Sequence, residues 1–183
     1  MGKYHQMFIV LNVACFFFLT VGSTYGQQEY KPCDELSAYQ KLNFWLGKWH
    51  VYDSSGTNIG ENHIEKILNG CAILEHWKSA KGSQGKSLFY VDNQLQTWKQ
   101  VWVTENATAP WGTKEKQLIE ELEDGGVRFQ GEIHLSDGKS VLDRTTLTPV
   151  KDGRVRQVIE HSTDEGKTWK LSFDAFYVRK SDH

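Results

Sequence analysis

The sequence predicts an all-β fold, an up-and-down antiparallel closed barrel of about ten strands with a short N-terminal helix covering one end, and three observations lead to it. Past residue 48 the chain is a succession of short segments rich in Val, Ile, Thr, Tyr, Phe and Trp. The stretches between them, "SSGTNIG", "NG", "AKGSQGK", "DNQLQ", "NATAPWGTK", "EDGG", "SDG", "KDG" and "DEGK", are nearly all of hairpin length and turn composition, so sequential neighbours pair antiparallel. Seven Trp, seven Tyr and nine Phe against two Met and three Pro favour the wide pleated surface of strands over packed helices. Strands with one apolar face must close on themselves or stack as two sheets, and without long crossovers closure is favoured.

The 183 residues, 39% of them hydrophobic, suffice for one sizeable core, so a single globular domain is expected. Ahead of it, "MGKYHQMFIVLNVACFFFLTVGSTYG" places Lys3 in a short polar start, an apolar stretch from Met7 to Val21, and small and polar residues before Gln27. That is the order of a secretory signal peptide over residues 1–26, with the periplasm or the extracellular space as destination. The apolar stretch is shorter than the roughly 20 residues of a membrane-crossing helix, so no stable membrane anchor is expected after cleavage. Cys15 lies inside the run with Phe16 to Leu19 still to follow, which is not a lipoprotein arrangement. Cleavage removes Lys3 and no acidic residue, leaving 20 basic against 23 acidic groups, a formal charge of −3 in place of −2. Neither value supplies a basic field, and nucleic acid is not an expected partner.

The mature chain divides into an N-terminal arm with the short helix, residues 27–41, and the barrel, residues 42–183. It keeps two cysteines, Cys33 and Cys71. In an exported chain these are expected to form one disulfide, with two buried thiols as the alternative. Neither has a second Cys or His at ligand spacing beside it, so no metal site is expected there. In "DELSAYQKLNFWLGKWHVYD", Asp34 suits an N-cap, and Leu36, Tyr39 and Leu42 or Asn43 fall near helical spacing. Strands are expected at 49–53, 61–68, 71–78, 86–91, 97–105, 115–122, 127–135, 140–150, 154–162 and 169–179, with Asn69-Gly70 as the clearest turn.

Alternation allocates faces. Trp98, Gln100 and Trp102 share one, as do Val127, Phe129, Gly131 and Ile133; Val155, Gln157, Ile159 and His161; and Trp169, Leu171, Phe173, Ala175 and Tyr177. Glu75 shares a face with Cys71, Ile73 and Trp77, while its neighbour His76 points the other way. These faces mix aromatic rings with single polar groups, which favours a ligand cavity over a filled core. The expected lining is Glu75, Trp77, Trp98, Gln100, Trp102, Phe129, Gln157 and Tyr177.

"HSTDEGKTW" contains Ser-x-Asp-x-Gly-x-Thr-Trp, which looks like the Asp-box of sialidase propellers. A propeller requires repeats of roughly 40–50 residues, and the box occurs once without them. Its mechanical meaning is a hairpin clip: Asp164 accepts backbone amides across the turn, Gly166 takes positive φ, and Trp169 packs back over it. Asn106-Ala107-Thr108 has the form of a glycosylation sequon, and a chance occurrence is expected. Trp111, central in the longest connection, either packs on the barrel rim or forms a lid over it.

Gly47-Lys48-Trp49, entering the first strand after a helical turn, resembles the calycins, which comprise lipocalins, fatty-acid-binding proteins and nitrobindins. The resemblance implies that Trp49 closes the barrel floor. The blocks "FWLGKWHVYD", "IEKILNGCAILEHW", "GRVRQVIEHSTDEGKTW" and "FDAFYVRK" together look like a family of small exported bacterial proteins grouped with calycin-like barrels, and that resemblance implies no activity.

Three functions follow as expectations. The first is binding of a small apolar molecule in the barrel without a cofactor, a fold-level analogy. The second is haem binding, implied by the nitrobindin resemblance; the final strand "WKLSFDAFYVRK" lacks the His that resemblance asks for, so His161 would have to be the axial ligand. The third is a small barrel enzyme using Glu75 as acid or base, against which stands an inward Glu75 paired with Arg154 or Arg156. Asp174, opposite in phase to Phe173, is expected outside the barrel or as a clip. No Ser-His-Asp order, phosphate loop or metal constellation is legible in the sequence, so binding is favoured over catalysis.

Overall fold

The structure, a computed structural model, describes residues 31–181 together with Gly2. The expected signal peptide therefore lies outside the described residues. Ten strands run in sequence order: β1 (Gly47–Asp53), β2 (Asn58–Ile67), β3 (Ala72–Ser79), β4 (Gln84–Asp92), β5 (Thr97–Thr104), β6 (Thr113–Glu121), β7 (Val127–His134), β8 (Ser140–Pro149), β9 (Val155–Ser162) and β10 (Lys170–Arg179). Each pairs antiparallel with its sequence neighbours, and β1 pairs with β10, closing an up-and-down barrel without sheet edges. Among the described residues no helix is long and apolar enough to cross a membrane.

The connections alternate between two ends. The turns β2–β3, β4–β5, β6–β7 and β8–β9 lie at the end where the chain enters β1, and the other five, including "NATAPWGTK" and the Asp-box, ring the opposite end. At the entry end the N-terminal segment forms the floor. The expected single helix is instead three 3-10 turns, Cys33–Glu35, Ser37–Tyr39 and Asn43–Trp45. Leu36, Tyr39 and Leu42 are spaced by three, the period of a 3-10 helix as much as an approximate α-helical stripe. Asp34 does not cap: Pro32 precedes the first turn, and the Asp34 carboxylate pairs with Lys66 Nζ at 2.8 Å.

Trp45 and Leu42, fully buried, fill the barrel from below. Trp45 meets Phe89 and Tyr177 edge-on at 5.6 and 5.9 Å, and Phe89 meets Phe129 at 5.6 Å. Trp49 donates from Nε1 to the Trp45 carbonyl at 2.9 Å and carries the Arg179 guanidinium on its face, so it closes the floor. Trp98 donates to the Ala38 carbonyl at 2.8 Å. Cys33 and Cys71 form a disulfide that bolts this segment to the β2–β3 turn. Close packing reinforces it: a Cβ on Gly70 would fall 2.0 Å from Asp34 Oδ1.

The Asp-box is the clip its residues describe. Thr168 donates to Asp164 from both its backbone N–H, at 2.9 Å, and its hydroxyl, at 2.6 Å, and Ser162 Oγ donates at 2.7 Å. The donors hold the Asp164 carboxyl down to about 2. Trp169 Nε1 donates to the Gly166 carbonyl at 3.0 Å, and Arg144 lies 3.9 Å over the indole. Gly166 has φ +86°, and a Cβ there would meet only ordinary contacts at 3.6 Å, so its requirement is conformational. Gly166→Ala is expected to cost roughly 1–2 kcal/mol, the left-handed penalty of a non-glycine residue. Urea denaturation checks this, and no change in midpoint would show that the loop finds another conformation.

One face assignment is corrected. A bulge between Leu171 and Phe173 breaks the β9–β10 register, so Leu171 is 64% exposed and leaves the face that Phe173, Ala175 and Tyr177 share. An inserted residue in a pleated strand reverses the parity of everything before it, and strict alternation cannot anticipate this.

Candidate functional site

Above the floor the inner face changes character. A cavity of about 210 Å³ opens toward the loop end. Its outer lining is Trp77, Trp102, Lys114, Ile159 and Phe173; below these lie Glu75, Gln100, Lys116, Thr145, Gln157 and Tyr177. The site is thus an aromatic collar over a polar layer over a packed apolar floor.

Two glycines set the collar. A Cβ on Gly60 would stand 2.5 Å from the Lys78 carbonyl oxygen and 2.7 Å from the Trp77 indole, and one on Gly85 would stand 2.4 Å from the Trp102 indole. Both glycines face inward on strands, and their bare backbone lets each indole fold back against the wall and keep the lumen open. Substituting Gly85 would force the Trp102 ring toward the centre of the cavity, whereas substituting Gly60 would also collide with the β3 backbone at Lys78.

The polar layer has two halves. In one, Glu75 Oε1 accepts from Asn62 Nδ2 at 2.7 Å and Oε2 accepts from Ser87 Oγ at 2.6 Å. Gln100 Nε2 donates to Ser87 Oγ at 3.0 Å, and Tyr177 Oη donates to Gln157 Oε1 at 2.5 Å. Burial pushes the Glu75 carboxyl above its ordinary range despite the Ser87 and Asn62 donors, and burial likewise raises the Tyr177 phenol. Gln100 Oε1 is buried and has no hydrogen-bond partner among the described residues.

In the other half, Lys116 Nζ donates to Asp143 Oδ1 at 2.6 Å and to Thr145 Oγ1 at 2.5 Å, while Lys114 Nζ lies 2.8 Å from Asp143 Oδ2. The route is set by register. Lys116 pairs with Gly131, and Gly131 pairs with Asp143, so the lysine stem crosses the one position in that row without a side chain. Burial lowers the Lys116 ammonium to about 8, against the pull of Asp143. Burial would raise Asp143, but the two lysines overcome it and hold the carboxyl below its ordinary range.

Of the expected lining, Glu75, Trp77, Gln100, Trp102, Gln157 and Tyr177 surround the cavity. Trp98 and Phe129 do not; both belong to the packed floor, 2% and 1% exposed. Among the described residues Glu75 has no arginine partner. Arg154 pairs with Asp152 and Arg156 with Asp174, all outside the barrel, because Val155 and Gln157 take the inward parity of β9. Sequence reasoning missed Lys114, Lys116, Asp143 and Thr145. The signal for the two lysines was alternation within the polar strand "TKEKQLIEE", where Lys114, Lys116 and Leu118 share a face.

His161 is on the inner side of β9 but outside the cavity lining, its Nε2 3.9 Å from Asp143, and burial lowers its pKa. The residues do not fit haem. A tetrapyrrole is far larger than this cavity, and His161 is turned to Asp143. Trp111, in the loop after β5, is 59% exposed.

No protein-family model matches the chain, and no curated protein matches it in sequence. The closed ten-stranded antiparallel barrel is consistent with a calycin-like fold.

Proposed function

We propose that this barrel is an exported binding protein, related to the calycin-like barrels, that holds a compact, largely apolar molecule by one polar end and does not transform it. The observation that carries this is the layering of the cavity: Trp77, Trp102, Ile159 and Phe173 offer apolar walls, and the polar layer beneath them offers direction. At about 210 Å³ the space is smaller than the roughly 300–1,000 Å³ of sites for drug-sized ligands, which selects a molecule of one or two rings or its aliphatic equivalent. The unpartnered Gln100 Oε1 calls for a donor, so the polar end carries a hydroxyl or an N–H.

Glu75 supports binding over acid–base chemistry. Both its oxygens are engaged, by Asn62 and Ser87, so the carboxyl is fixed as an anchor. Export is supported by the Cys33–Cys71 bridge, a bond that persists in oxidising compartments.

The test is native mass spectrometry of protein purified from the host that makes it, followed by tryptophan-fluorescence titration with one- and two-ring alcohols and phenols. A copurifying small molecule or a saturable fluorescence change is expected. Trp102→Ala is expected to weaken binding roughly ten- to a hundredfold, the equivalent of losing about 1.5–3 kcal/mol of apolar contact. Affinity unchanged in Trp102→Ala, or neither a copurifying molecule nor any response, would overturn the proposal.

A further inference from the structure

The outer wall carries a second cluster that is independent of the cavity. His63 on β2 stands directly across from His76 on β3, and Glu65, two residues along from His63, shares their outward face. The two imidazoles stack at 5.5 Å with planes 21° apart. One donor atom from each of His63, Glu65 and His76 can be chosen so that all three lie within 4.8 Å of one another, and all three residues are half-buried. The β2–β3 ladder runs without irregularity through these positions, so the three Cα atoms are rigidly spaced.

We infer that His63, Glu65 and His76 form a binding site for a divalent transition-metal ion, with water completing the coordination. Two imidazoles and one carboxylate are a donor set that zinc accepts in sites with an open position. Tetrahedral zinc, with bonds of about 2.0–2.2 Å, needs donors roughly 3.4 Å apart. Reaching that spacing from donors within 4.8 Å requires the rings to leave their parallel stack, a rotation that the broad terminal χ2 torsions permit. Glu65 Oε1 is hydrogen-bonded to His76 Nε2 at 2.8 Å, so the carboxylate is at hand and the ion takes the place of the shared proton.

Lys86 opposes the ion. Its exposed ammonium sits 2.6 Å from His76 Nδ1. When Nε2 of His76 coordinates a metal, Nδ1 carries the proton, and a lysine facing it is both a like charge to the metal and a second donor to a nitrogen that no longer accepts. Lys86 must therefore withdraw for the ion to bind. A glutamine there would instead accept from Nδ1–H and orient the ring, as outer partners of metal-bound histidines do.

The experiment is calorimetric titration of untagged protein with Zn²⁺ alone. One-to-one binding is expected, weakened at least tenfold by either His63→Gln or His76→Gln, since loss of an outer partner alone costs about 10–100-fold. Lys86→Gln is expected to tighten binding severalfold, which a simple Lys86–His76–Glu65 hydrogen-bonded chain would not produce. These positions lie on the outer face, and circular dichroism of each variant confirms folding. No Zn²⁺ binding, or an affinity that survives the double His63→Gln/His76→Gln change, would overturn the inference.

Discussion

Replacing Cys33 and Cys71 together by alanine is expected to lower the stability of the fold by about 4 kcal/mol. The bridge spans a sequence separation of 38, and closing a loop of that length removes roughly this much denatured-state entropy in the chain-entropy model. Here the loop contains the floor. Leu42, Trp45 and Trp49 all lie between the two cysteines, and the Ala38 carbonyl that receives Trp98 Nε1 lies there too. Without the bridge, the turns from Cys33 to Trp45 keep their packing, the Lys66–Asp34 pair and the Lys41–Glu121 pair. Those two pairs are partly exposed, and such pairs contribute at most about 1 kcal/mol each. Urea denaturation of the double variant beside the oxidised protein measures the difference. A loss below about 1 kcal/mol would mean that floor packing alone anchors the segment.

The barrel was legible because its turn chemistry is explicit. "SDG", "KDG" and "EDGG" place Gly138, Gly153 and Gly125 at φ +80°, +83° and +81°, where a side chain is disfavoured, and each marks a hairpin. Strand starts were less sharp: β2 begins at Asn58, not 61, because the polar Asn58 and Gly60 are paired residues with turn-like chemistry. Face was legible from alternation, whereas depth was not. Trp98 and Trp102 share a face, yet one is floor and the other collar. Height in a barrel depends on how each strand is staggered against its neighbours, and alternation carries no information on stagger.

The polar layer was half legible. Glu75, Gln100, Gln157 and Tyr177 stood out as lone polar groups on apolar faces. Lys116 and Asp143 did not, because charged residues on polar strands look like solvated surface until register brings them together. The outer cluster was hidden for the same reason. Twelve residues lie between His63 and His76 in the chain, and only the β2–β3 pairing makes them neighbours.

Asp143→Asn is expected to destabilise the protein by about 3–5 kcal/mol, the usual cost of stripping the counter-charge from a buried ion. Asp143 is 1% exposed at its side chain and serves two cations, Lys116 at 2.6 Å and Lys114 at 2.8 Å. Its loss leaves the two ammoniums of β6 side by side, with no carboxylate between them. The pH dependence follows from the directions of the shifts. Asp143 is held below its ordinary value of 3.8, so its contribution is present above that pH and is lost as pH falls through the lower folded value. Lys116 is lowered from 10.5 to about 8, so between those values the unfolded chain binds more protons. The Lys116 contribution therefore makes stability rise with pH across that window. In Asp143→Asn the attraction that resists this lowering is gone, and the window extends below 8. Part of the loss at pH 7 is then recovered by raising the pH, as Lys116 sheds its proton. Joint replacement, Asp143→Leu with Lys116→Met, removes both principal charges and is expected to recover most of the stability, since apolar isosteres of a buried ion pair are often neutral or better. Lys114, 15% exposed at the cavity collar, can turn its ammonium to water. Urea denaturation of the three proteins at pH 7 and pH 9 separates the terms. A loss below 1 kcal/mol in Asp143→Asn, equal at both pH values, would show that water enters the cavity and solvates the lysines in place of the carboxylate.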